Sequence, residues 1–157
     1  MASKKRFLKF FLLGFLIFIA VIIFVFSRPS ALSKTAVTDV RINQHLIKTE
    51  IARTPYQFYQ GLSKRTSICV DCGMLFVFSD FDERTFVMRD MLFPLDIIFI
   101  SKGKVIKIYE NLAPEGDKPQ NLYKSEAPAD QVLEINAGQA KAWGIKVGDQ
   151  LTISQYE

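Results

Sequence analysis

The sequence predicts a mainly β domain, a compact antiparallel β-sandwich or barrel with one or two short helices, preceded by a single N-terminal transmembrane helix. Three observations predict it. The 157 residues suffice for one domain plus a targeting segment. Beyond residue 36 the apolar residues fall in short β-branched runs separated by turn residues, in consecutive hairpins without crossover helices. Ahead of residue 36, Phe10 to Ser27 is an 18-residue run without a charge, and 16 of its residues are apolar.

That run sets the N-terminal organisation. Residues 1–6 read as a basic cytoplasmic N-terminus, 7–26 as a membrane helix, 27–36 as a polar tether containing Pro and Ser, and 37–157 as the exported domain. Twenty helical residues at ~1.5 Å each reach about 30 Å, the thickness of a bilayer's hydrocarbon core. Lys4, Lys5, Arg6 and Lys9 lie at its start and only Arg28 follows closely. That asymmetry keeps the N-terminus in the cytoplasm and places the domain outside it, periplasmic or extracellular. A cleaved signal peptide is the alternative, with Ala31-Leu32-Ser33 as the site, but the apolar run exceeds the ~7–15 residues of a signal core. Either way the domain is exported. Apart from the four leading cations the chain carries 16 positive and 16 negative side chains. A neutral body lacks the clustered Lys and Arg that a nucleic-acid surface requires.

Within the domain, Val37–Ile42 and Leu46–Ile51 read as a hairpin turned at Asn43-Gln44-His45. Thr54 is placed to cap a helix, with Pro55 at its first position and Gln57 completing a capping box. That helix is expected to run to about Lys64 and to carry Phe58, Tyr59 and Leu62 on one side. Strands follow at Met74–Phe78, Thr85–Met91, Leu95–Ile100 and Lys104–Tyr109, the last two joined by Ser101-Lys102-Gly103. Asn111–Ala129 reads as a long loop, Gln131–Asn136 as a strand, Gln139–Trp143 as a helical turn ended by Gly144, and Gln150–Ser154 as a last strand.

Several blocks in this order are distinctive: Gly61-Leu62-Ser63-Lys64-Arg65, Gly73-Met74-Leu75-Phe76-Val77-Phe78, Phe86-Val87-Met88-Arg89-Asp90 and Pro94-Leu95-Asp96-Ile97-Ile98-Phe99. Val132-Leu133-Glu134, Ala137-Gly138 and Gly144–Asp149 extend the pattern. Over about Val40 to Ile153 the chain resembles the domain-of-unknown-function family numbered 192. The resemblance implies a small β-rich domain, often behind a signal or anchor, with no established biochemical function. Members of that family usually carry Asn where this chain has Asp90, and many lack the Cys pair.

Cys69-Val70-Asp71-Cys72 is a CxxC in a domain expected outside the cytoplasm, where neighbouring thiols oxidise. A structural disulfide is the favoured reading, with a redox-active pair and a metal site as rivals. Redox chemistry prefers a CxxC at a helix N-terminus, whereas this one precedes a strand. Structural zinc needs four ligands, and His45 is the chain's one His. Neither metal nor cofactor is therefore expected, and no hydrolytic triad or phosphate loop is present.

Polar residues on strand positions carry more information. Alternation in Leu95–Ile100 puts Asp96 on one face with Ile98 and Ile100, so its carboxylate requires an Arg or backbone donors. Arg65, Arg89, Asp90, Asp96 and Glu134 are the candidate residues, read either as an internal salt-bridge network or as a polar cleft. Tyr123 and Trp143 could frame a sugar ring, or serve in the core. These features point to a membrane-anchored binding or accessory module of the cell envelope, with an envelope glycan or protein as partner. The alternative is an envelope enzyme, acting on glycan through paired carboxylates such as Asp96 and Glu134, or on disulfides through Cys69 and Cys72.

Overall fold

In the computed structural model, which describes residues 36–154, seven strands form one sheet. In chain order these are β1 (Ala36–Ile42), β2 (His45–Ala52), helix α1 (Pro55–Gln60), β3 (Cys72–Phe86), β4 (Leu95–Ser101), β5 (Lys104–Leu112), β6 (Tyr123–Asn136), helix α2 (Gln139–Ala142) and β7 (Leu151–Ile153). The spatial order is β5-β4-β6-β3-β2-β1-β7. The expected membrane helix at residues 7–26 and nearly all of the tether lie outside the described residues. No described helix is long and apolar enough to cross a membrane.

The mainly β reading holds, but the sheet is a single curled half-barrel. Val40, Ile47, Leu75, Ile98, Val105, Leu133 and Leu151, one from each strand, belong to one buried cluster on the inside of the curl. The two edges approach each other at one end. There the Val105 N–H donates to the Asp149 carbonyl at 2.9 Å, and the Leu151 N–H to the Gly103 carbonyl at 2.7 Å. β4 is buried from Leu95 through Ile100, which makes it a central strand. As alternation predicts, Leu95, Ile97 and Phe99 enter one cluster and Ile98 and Ile100 the other.

The principal departure is β2 with β3, which pair in parallel from Lys48–Cys72 to Ala52–Phe76. Parallel neighbours need a crossover, and α1 with residues 61–71 supplies it. The expectation of hairpins without crossovers therefore fails at this step. The helix itself is built as its sequence dictates. The Thr54 hydroxyl accepts from the Gln57 N–H at 3.3 Å, and the Gln57 side-chain oxygen accepts from the Thr54 N–H at 3.1 Å. α1 ends at Gln60, because Gly61 takes φ +47° and ψ −135°, a conformation for glycine. The crossover lays Phe58 and Leu62 over Met74, Phe76, Ile97 and Val132, covering the sheet's second face. Tyr59, expected on that side, is exposed.

β3 and β6 also extend beyond their expected limits, pairing from Gly73–Ile135 out to Phe86–Tyr123. Register shifts between Val77 and Asp82 and between Glu83 and Thr85 break the period of two. Only Thr85 and Phe86 of the expected strand Thr85–Met91 belong to β3, and the chain turns away before Asp90, at φ +53°. The Asn111–Ala129 loop is correspondingly shortened by β6, which begins at Tyr123. The β4–β5 hairpin closes on two residues, Lys102 and Gly103, at φ +51° and +74°, as tight hairpins require.

Candidate functional site

Pairing puts Glu50 beside Met74, Met74 beside Glu134, and Glu134 beside Ile97. Residues paired across strands share a face, so Glu50 and Glu134 both point toward the crossover. Arg65, on the crossover, donates to both carboxylate oxygens of Glu50, with Nη2 to Oε2 at 2.8 Å. That hydrogen-bonded pair holds the Glu50 carboxyl below the usual carboxylate range and raises the Arg65 guanidinium. Glu134 differs. It is 6% exposed, and burial pushes its carboxyl up to about 8 against the opposing charge of Arg65. At neutral pH it is a neutral acid, and its buried Oε2 has no hydrogen-bond partner.

Glu134 forms part of a cavity of about 390 Å³ between crossover and sheet. Phe58 and Tyr59 come from α1, and Phe76, Phe78 and Phe86 from β3. Gly61 sits close above the acid: a Cβ there would lie 3.4 Å from Phe76 Cζ and 3.9 Å from Glu134 Oε2. Glu83, Arg84 and Arg89 are the other charged residues of the lining. The Arg84 guanidinium lies 4.0 Å from the Phe78 ring centre and is tied to Asp80 and to the Ala129 carbonyl. Arg89 stacks on Tyr59 at 3.9 Å and donates to the Tyr59 carbonyl. Among the described residues no carboxylate lies within ion-pair distance of Arg89.

The five candidate polar residues thus divide. Arg65, Arg89 and Glu134 gather on the crossover side. Asp96 points to the other face, where its carboxylate accepts from the N–H groups of Asn111, Gly138 and Ala140 at 2.8, 3.0 and 2.8 Å. Its partners are backbone donors, neither Arg89 nor Arg65, and it does not face Glu134 across a cleft. Asp90 acts through its backbone: its N–H donates to the Gly116 carbonyl and its carbonyl accepts from the Lys64 N–H. Cys69 and Cys72 form a disulfide across the turn at Val70-Asp71, with Cys72 the first residue of β3 and neither on a helix. His45 stacks on Trp143, with ring centres 5.3 Å apart. Tyr123 packs with the crossover-side cluster and Trp143 with the inner one, so they frame no common site. No metal-holding group of three His, Cys, Asp or Glu occurs among the described residues.

Sequence reasoning missed Glu50, Gly61 and the aromatic walls. Phe76 and Phe78 alternate with Val77 and could have been assigned one face. Glu50 gave no signal, because its partner arrives from a crossover that the strand pattern did not reveal.

Fold and site together define a small curled-sheet domain whose short crossover roofs a cavity holding a buried acid. The chain belongs to family DUF192, described as "Uncharacterized ACR", which it matches over residues 37–153. It is similar to a solved Sinorhizobium meliloti protein provisionally described as a transcription regulator: 34% identity and a TM-score of 0.72, covering 76% of this chain and 95% of that one. A protein of unknown function from Novosphingobium aromaticivorans is similar at 34% identity and a TM-score of 0.70, covering 78% of this chain and 89% of that one. No curated protein matches.

Proposed function

We propose that this protein is a membrane-anchored module of the cell envelope whose domain, held outside the cytoplasm, binds a small ring-bearing ligand in the Glu134 cavity. One observation carries the reading: a buried carboxyl whose Oε2 finds no protein partner sits among aromatic side chains in that cavity. A buried polar atom left unpaired costs about 1–3 kcal/mol, which a bound ligand would recover. The cavity volume falls in the range of small-molecule sites, roughly 300–1,000 Å³. The disulfide supports an oxidising compartment. Binding is favoured over glycan cleavage because Asp96 and Glu134 occupy opposite faces, and over thiol exchange because the CxxC lacks a helix N-terminus. The regulator description of the S. meliloti protein is not adopted, since residues 37–157 carry 14 Lys and Arg against 16 Asp and Glu and so have no excess of positive charge.

The test is a ligand-observed NMR screen of ring-bearing fragments against the full chain and against Thr85→Trp, which places an indole in the cavity lining. Fragments that bind wild type and are lost from the variant are expected. A screen with no binder, or with the same binders for both proteins, would overturn the proposal.

A further inference from the structure

We infer that the ligand of this cavity carries a carboxylate, held between the acid form of Glu134 and the guanidinium of Arg89, with its ring against the phenylalanines. This rests on the binding reading above and adds the chemistry of the ligand's polar end.

Three observations point the same way. First, Glu134 lines the cavity as a buried acid with Oε2 unpartnered, and Gly61 stands over it, where a Cβ would lie 3.9 Å from that oxygen. A neutral carboxyl with a free O–H asks for an acceptor, and a carboxylate is the strongest acceptor of common ligand groups. Second, a half-buried guanidinium in the lining is left to meet an anion. Arg65 stands on the crossover with its charge matched by Glu50, and Arg84 and exposed Glu83 come from β3. Asp80 pairs with Arg84. Arg89, from the segment after β3, has no carboxylate partner among the described residues. With Glu134 protonated and the pairs cancelled, half-buried Arg89 and exposed Glu83 remain, so the less solvated charge of the lining is a guanidinium, and an ammonium placed beside it would meet like charge. Third, a cation is not needed to fill the aromatic faces. Phe78 and Tyr59 already carry guanidinium groups at 4.0 and 3.9 Å.

Binding then requires the proton on Glu134. No bond is made or broken: the acid donates a hydrogen bond to one carboxylate oxygen while Arg89 neutralises the charge. Once Glu134 ionises, two carboxylates would face each other and the anion is expelled.

The test uses three probes that share a ring and differ in the polar end: phenylacetate, phenylacetamide and phenethylamine. Each is titrated calorimetrically into the full chain and into the variants Glu134→Gln and Arg89→Met. Phenylacetate should bind at pH 6.5 at least tenfold more tightly than phenethylamine. Its affinity should fall about tenfold per pH unit once Glu134 titrates. Glu134→Gln, which keeps a neutral donor, should retain binding and abolish that pH dependence. Arg89→Met should remove the preference of carboxylate over amide. Tighter binding of the amine, a pH profile unchanged in Glu134→Gln, or an intact carboxylate preference in Arg89→Met would each overturn the inference. If only the neutral or cationic probe enters the cavity, as judged by loss in Thr85→Trp, the carboxylate assignment falls and the binding reading stands. If no ring-bearing fragment enters, both fall.

Discussion

Asp96 pairs with Ile135 and Ile97 with Glu134, so two buried acids lie one register step apart on neighbouring strands and face opposite ways. Their environments set opposite chemistry. Asp96 is met by three backbone N–H groups, which fasten β4 to the end of β5 and to the start of α2. Asp96→Asn replaces an acceptor oxygen by an amide that faces a donor, leaving at least one buried N–H unpaired. The expected cost is about 2–4 kcal/mol, read as a loss of stability in urea denaturation. Melting within a degree or two of wild type would contradict the structural role. Alternation made the burial of Asp96 legible in sequence. Its partners were not legible, since backbone donors 15 to 44 residues away carry no side-chain signature. Glu134 predicts the reverse of the usual acid behaviour. Its folded carboxyl titrates near 8 instead of 4.5, so the folded state holds a proton that the unfolded chain has already lost. Stability should therefore fall as pH rises from about 4.5 to about 8, by something on the order of 2–4 kcal/mol. Glu134→Gln should flatten that slope and be the more stable protein at pH 8.5. Melting curves of both proteins across pH 5 to 8.5 check this, and equal slopes would show that Glu134 is solvated.

At the scale of elements, the crossover makes the site, since α1 and the loop behind it bring Phe58, Gly61 and Arg65 over the sheet. The sequence showed the start of α1 plainly, because a capping box is a local signal within Thr54–Gln57. It did not show that β2 and β3 lie parallel, because pairing direction depends on contacts far apart in the chain. The β3–β6 ribbon was hidden for another reason. Ser79–Arg84 is bulged and polar apart from Phe81, so it offers neither alternation nor β-branched residues. The Cys69–Cys72 disulfide fastens the end of the crossover, but other bonds hold the same turn. Asn136 donates to the Cys69 carbonyl and the Lys48 N–H to the Asp71 carbonyl, each at 2.9 Å. A loop this short constrains the unfolded chain little, so Cys→Ser at both positions should cost no more than about 2 kcal/mol in urea denaturation. A larger loss, or failure to fold, would make the disulfide a foundation of the crossover instead of a clip.

For the whole molecule, the proposed export rests on the different charge and hydropathy of the two parts of the chain. Four cations stand at the start of an apolar run long enough to span a bilayer, and the residues beyond it are balanced in charge. A disulfide in the domain supports that proposal, because such bonds persist in oxidising compartments. Protease added outside intact spheroplasts should therefore cut after Ser27, while Lys4 to Lys9 stay protected until the membrane is opened. An uncleaved anchor further predicts that the protein sediments with membranes through a high-salt wash, which strips proteins held by charge alone, and is released by detergent. Release by salt would point to a cleaved signal and a peripheral domain. Complete protection from external protease would place the domain in the cytoplasm, where the Cys69–Cys72 bond would be reduced. The export proposal would then fail together with the envelope role, while the proposed binding at the Glu134 cavity, which depends only on the sheet and its crossover, would be untouched.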